Sequence, residues 1–175
     1  MKIEYRIPQD DYINIEGLIG GTISSLYYQK SSGFGEDIVA HMVALKIQEE
    51  SYIRICTDEW SDTYKEAIDC YRLRVQKVEN AAYAFKSNTK VPVEIENVSL
   101  QPIIIKKIDI YKFKDSEGDE SVIYDVALLL IGDQNRVLLG IENTSIAGDI
   151  YLYCEQWKIE EKLKQYGHVR SITSA

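Results

Sequence analysis

The chain of 175 residues is poor in the features that punctuate or specialise a sequence. It has three prolines and ten glycines, and no Gly/Ser-rich or Pro-rich stretch. Without such a linker, nothing in the composition separates independent units, so residues 1–175 are expected to form a single domain. There are only three cysteines, Cys56, Cys70 and Cys154, and no CxxC spacing. That odd, sparse set excludes a disulfide framework. The two histidines, His41 and His168, stand far apart with no ligand-spaced neighbour, so no local zinc pattern is present and neither metal nor cofactor is expected. No GxSxG elbow occurs. The longest apolar run, Val126–Ile131, is strand-sized and far short of a membrane span. Charge interrupts the opening residues Lys2, Glu4 and Arg6 at once, leaving no apolar leader, and a cytoplasmic chain is expected. Basic excess is missing too. Twenty Lys and Arg face 28 Asp and Glu, for a net charge of −8. This argues against nucleic-acid binding through bulk positive charge and against docking on anionic lipid.

What is present reads as β structure. Tyr71, Leu73 and Val75 alternate with Arg72, Arg74 and Gln76, the pattern of a strand with one buried face. Val39, His41, Val43, Leu45 and Ile47 read in the same way as one face of a strand. Val126–Ile131 has no polar alternate and reads as a central strand covered on both sides. Tyrosine is abundant, with 13 residues, and most lie in or beside the proposed strands, as β propensity favours.

The chain also resembles itself. At a shift of 83, Tyr28 meets Tyr111, Gly35 meets Gly118, and Val43-Ala44-Leu45 meets Val126-Ala127-Leu128; at a shift of 80, Asp69 and Tyr71 meet Asp149 and Tyr151. Each half carries the same charge, with 10 basic and 14 acidic residues in 1–88 and again in 89–175. The expected fold is mainly β: two similar antiparallel four-stranded meanders packed as one unit, with one or two short helices. The repeat covers 19–80 and 101–160, joined by 81–100. The first meander is expected to use strands 22–30, 38–48, 52–57 and 68–78. The second is expected to use 103–113, 122–131, 136–142 and 149–157. A helix is expected over 156–166, with Trp157, Leu163 and Tyr166 on one face and Gly167 as its stop. Asp62–Asp69, behind Ser61 as N-cap, is balanced between a short helix and a wet connection.

Three segments invite a chemical reading. Gly17-Leu18-Ile19-Gly20-Gly21-Thr22 precedes a β-type run and lacks a GKT or GKS, so it reads as a turn into a strand rather than a phosphate cradle. Asp115-Ser116-Glu117-Gly118-Asp119-Glu120 clusters oxygens, but the acidic residue that closes an EF-hand is missing and strands flank it, so it reads as a hairpin loop. The third, Thr57–Tyr64, sets Trp60 and Tyr64 among Asp58, Glu59 and Asp62, with Glu66 and Asp69 just beyond. Aromatic side chains give contact area at little entropic cost, and carboxylates pair with Lys or Arg. Asp58, Glu59, Trp60, Asp62, Tyr64 and Glu66 are therefore the expected partner-binding residues. The carboxylates are too many and too freely placed to single out an acid/base pair, and no nucleophile is announced. The chain is read as non-catalytic.

In size, acidity and the acidic-aromatic segment Asp58–Asp69, the chain resembles the immunity proteins of bacterial toxin systems. It departs from one large superfamily of these in lacking a Trp-Gly pair, since Trp60 precedes Ser61 and Trp157 precedes Lys158. The resemblance implies a binding protein that neutralises a basic, nuclease-type toxin domain by direct contact. Two other readings stand beside it. One is a homo-oligomeric structural or accessory β protein, suggested by the doubly apolar strand and the repeat. The other is a small-ligand-binding barrel or weak enzyme with a cavity between the meanders.

Overall fold

A computed structural model describes residues 2–30, 38–47, 51–60, 70–79, 95–117, 119–141 and 148–174. The chain runs β1 (Lys2–Tyr5), α1 (Gln9–Glu16), β2 (Thr22–Lys30), β3 (Ile38–Ile47), β4 (Ser51–Trp60), β5 (Cys70–Val78), β6 (Ile95–Ile104), β7 (Lys107–Glu117), β8 (Glu120–Ile131), β9 (Arg136–Ile141), β10 (Ile150–Tyr153), α2 (Gln156–Leu163) and β11 (Gly167–Thr173). Among the described residues, all eleven strands belong to one mainly antiparallel sheet, curled into a half-barrel. No helix among the described residues is long and apolar enough to cross a membrane.

Two four-stranded meanders make up most of the sheet. Strands β2–β5 pair in sequence order, and so do β7–β10. The seam between them is β10 against β3. The registers agree to within one residue: Tyr28 lies opposite Val43, and Tyr111 lies opposite Ala127. The offset has a local cause, because Val126 is the extra residue of a bulge between Tyr111 and Lys112.

Several boundaries move. The expected strand 103–113 divides at Ile105–Lys106 into β6 and β7. Ile105 exchanges backbone bonds with Gly20 and Gly21, whereas Lys106 N–H donates to Ile131. The chain passes from one meander to the other within those two residues. Residues 95–100, expected as joining segment, are part of β6 on the edge of β2. The proposed loop 114–121 is mostly strand, closed by Glu117 opposite Glu120. Strand 149–157 stops at Tyr153, and Trp157 belongs to α2. The buried residue of that helix is Ile159, while Trp157 is 62% exposed. Trp157 therefore does not share the packed face with Leu163 and Tyr166. The segment before β2 is a turn, with Gly20 at φ +79°. The proposed helix 62–69 lies outside the described residues.

One apolar cluster fills the concave side. Val43, Leu45, Ile55, Leu73 and Val75 of the first meander join Ile108, Ile110, Leu128, Leu130 and Leu139 of the second, together with Ile15 of α1 and Leu18 of the turn after it. The expectation for β8 holds: Val126, Ala127, Leu128, Leu129 and Leu130 are all buried. Helix α1, which has no clear sequence signature beyond Pro8 and two acidic residues in its first turn, acts as a strut. Its Asn14 donates to the carbonyl of Val75 at 2.9 Å, and its Asp11 accepts the Val75 N–H at 2.8 Å. Two side chains thus occupy the outer edge of β5 as a neighbouring strand would.

Candidate functional site

Each meander contains a fork on its second strand. One edge of β3 pairs with β4 along Met42–Ile47 and with β10 along Ile38–Ala40. The switch falls on His41, which is also the extra residue of a bulge against β2, between Gln29 opposite Met42 and Lys30 opposite Ala40. A bulge resets the alternation of side chains. Ala40 and Val43 are therefore both fully buried, while the side chain of His41 is 43% exposed. This corrects the sequence reading that ran one face straight through His41.

The bulge aims His41 at the start of β10. Its Nδ1 lies 2.6 Å from Oδ1 of Asp149, whose side chain is only 3% exposed. A carboxylate this close to Nδ1 restricts the orientation of the half-exposed ring. Gly148, just before, takes φ +64°, and a Cβ there would sit 2.3 Å from the ring of Tyr71. Only glycine fits both conditions. The Gly148 carbonyl accepts the Thr57 hydroxyl of β4 at 2.7 Å. His41, Asp149, Gly148, Thr57 and Tyr71 thus meet where β4 leaves β3 and β10 enters.

The expected binding segment starts at this fork. Asp58, Glu59 and Trp60 are not loop residues. They continue β4 opposite Arg72, Tyr71 and Cys70 of β5. The Asp58 carboxylate bonds to Arg74 and lies 3.5 Å from Arg72, with 40% of its side chain exposed. Arg74 also grips Asp11 at 2.7 Å. The bond to Asp11, then that to Asp58, holds the guanidinium proton above its ordinary value despite partial burial. Asp62, Tyr64 and Glu66 lie outside the described residues, as do the side chains of Glu59 and Trp60.

The second fork, on β8, has the same plan. Its edge pairs with β9 along Ala127–Ile131 and with β1 along Ser121–Tyr124, the latter in parallel. The switch again coincides with a bulge. Asp125 stands there with no side-chain exposure, and three donors reach it: Arg6 Nη1 at 2.8 Å, Ile7 N–H at 3.0 Å and Tyr12 Oη at 3.2 Å.

A Ser/His/Asp set joins β11 to β7, but its wiring is that of a clasp. Ser171 Oγ donates to Asp109 Oδ1 at 2.5 Å. The one nitrogen His168 Nε2 lies 3.2 Å from Ser171 Oγ and 3.5 Å from Asp109 Oδ1. In a nucleophilic triad the two ring nitrogens serve different partners. Here the hydroxyl proton goes straight to the carboxylate. Burial opposes the Asp109 charge, yet the bonds from Ser171 and Lys107 outweigh it and hold the carboxyl below its ordinary value.

No family model, no curated protein and no solved structure matches the chain. The site therefore stands on its own geometry. No group of three or more His, Cys, Asp or Glu among the described residues is placed to hold a metal ion. Sequence reasoning singled out Asp58, set His41 on one face of a strand, and did not connect Asp149 or Asp125 with either junction. The bulges that re-aim or expose these positions leave no local mark, and their partners lie about a hundred residues away.

Proposed function

We propose that the chain is a non-catalytic binding protein that docks a basic protein partner through the far end of β4, as an immunity protein docks a nuclease-type toxin domain. The course of β4 carries this reading. Beyond Cys56 the strand leaves β3 and continues with β5. It carries Asp58 and the start of the acidic-aromatic run past the last residue paired with β3, onto a part of β4 that pairs with β5. Asp58, already paired with Arg74 and Arg72, anchors the base of this ribbon. Glu59, Asp62 and Glu66 are the carboxylates left to meet Lys or Arg, with Trp60 and Tyr64 supplying apolar contact. A net charge of −8 steers a basic partner toward the chain.

The experiment is binding to basic, nuclease-type toxin domains, by calorimetry at low and high salt. Native chain should bind, with affinity falling as salt rises. The double variant Glu59→Lys/Asp62→Lys should lose binding while keeping its melting temperature. Equal binding by native and variant chains would sink the reading. The contact between His41 and Asp149 favours a second one, a weak enzyme with His41 as general base. That reading requires a hydrolytic activity lost in His41→Ala, with partner binding unchanged.

A further inference from the structure

We infer that the recess between β6 and the start of β9 binds a small molecule with an apolar body and one oxyanion head, a carboxylate or a phosphate. A bulge builds the recess. Between the pairs Ile23–Ile103 and Ser25–Ser99, β2 has one residue and β6 has three, Leu100, Gln101 and Pro102. Extra residues reset the alternation of side chains. Ser99 is exposed and Ile103 is buried although they stand four positions apart, and Leu100 packs against the core. Gln101 meets the turn 132–135 between β8 and β9, where its Oε1 accepts Asn135 Nδ2 at 3.4 Å. The Gly132 N–H closes that turn on the Asn135 carbonyl at 2.9 Å. The turn abuts β6 so closely that a Cβ on Gly132 would sit 2.8 Å from Ile103 Cγ2.

The lining selects the ligand. The cavity measures about 280 Å³, at the small end of ligand sites. Leu100, Ile103 and Val137 give it apolar surface, and Gln101, Gln134, Asn135 and Gln156 give it amides. Among the described residues, Arg136 is its one charged group and no Asp or Glu lines it, on a chain that carries 28 of them. The guanidinium is held along one edge. Its Nε donates to Gln156 Oε1 at 3.0 Å, and its Nη2 lies 3.5 Å from Glu160, an exposed carboxylate that Gln156 Nε2 also bonds. Its Nη1 has no partner among the described residues. An arginine oriented in this way presents charge-assisted donors to an oxyanion. The amides offer further donors and bring no charge to repel it, whereas a cationic ligand would face Arg136 with nothing to balance it. A bare anion would leave the apolar surface wet, so the ligand carries a body that covers it. No residue of β4 lines the recess, so the site stands apart from the docking reading above.

The test is an NMR titration of the full chain with benzoate and phenyl phosphate, read at the side-chain amides of Gln101, Gln134 and Asn135. At least one probe should move these signals to saturation in the millimolar range, and the tighter of the two names the head group. Benzyl alcohol and benzylamine keep the ring without the negative charge and should leave the signals in place. Acetate and inorganic phosphate keep the charge without the ring and should bind more weakly than their ring-bearing counterparts. Arg136→Gln should weaken binding about tenfold, the loss of one charge-assisted pair. Gln134→Glu, at an exposed turn position, sets a like charge at the rim and should weaken binding while keeping the native melting temperature. The proposal is overturned if neither anion saturates, or if a neutral or cationic ring binds as tightly. It is equally overturned by a head group that binds as well without its ring, or by a folded variant that binds like the native chain.

Discussion

The forks on β3 and β8 begin alike and end differently. In both, the second strand of a meander changes partner along one edge, a bulge marks the change, and a buried aspartate stands beside it. At β8, Asp125 collects three donors from the N-terminal segment and is sealed from water. At β3, Asp149 lies against a half-exposed histidine, next to the point where β4 ends its pairing with β3 and continues with β5. The difference teaches how each junction is held. A carboxylate saturated by its own chain is a fastener. A carboxylate set against a half-exposed imidazole leaves a titratable side chain within reach of water.

The largest expected effect breaks the fastener. Asp125→Ala strands the buried Ile7 N–H and leaves Arg6 without its buried partner. It should cost about 3–5 kcal/mol in denaturant unfolding, with loss of amide exchange protection in β1. Next, Gly148→Ala asks for a left-handed alanine against the Tyr71 ring. About 1–3 kcal/mol is expected, and protection should drop at Thr57 while β1 is spared. A third test sets the clasp of β11 beside both forks. The folded pKa of Asp109 is depressed. Its contribution is therefore full above the unfolded carboxyl value of about 3.9 and is lost as pH falls through the lower folded value. Exchange protection in β11 should fade in that acid range, and Asp109→Asn should remove the pH dependence. The smallest effect is His41→Ala, below about 1 kcal/mol, because the ring is partly in water. If that variant cost as much as Asp125→Ala, the two junctions would not differ in kind.

Much of the sheet was legible where one strand's own pattern decides the matter. Strands β2 and β3 were readable nearly to the residue, and β8 as a run buried on both faces, because alternation and apolar length report burial directly. Two meanders were readable because successive strands separated by short turns tend to pair with each other. Illegible were the features set by distant partners. Nothing near His41 announces that its edge changes from β4 to β10, so the alternation Val39–Ile47 reads smoothly through the bulge. Strand β1 is four residues whose partner lies in β8, too short to show a period. Helix α1 buries Asp11 along with Ile15, which blurs its amphipathic pattern. At the site, composition located the acidic-aromatic run. It gave no hint that Asp58 is claimed by Arg74, because that pairing depends on cross-strand register rather than spacing.

The passage at Ile105–Lys106 has a consequence for the whole polypeptide. Strands 1, 2 and 3 find mates in strands 8, 6 and 10, so neither half of the sequence completes its own hydrogen-bond ladders. The halves are interlaced like the fingers of two hands. A gene split between codons 79 and 95 would encode two pieces that are each incomplete and mutually obligate, a ready-made reporter that is restored only when both are present.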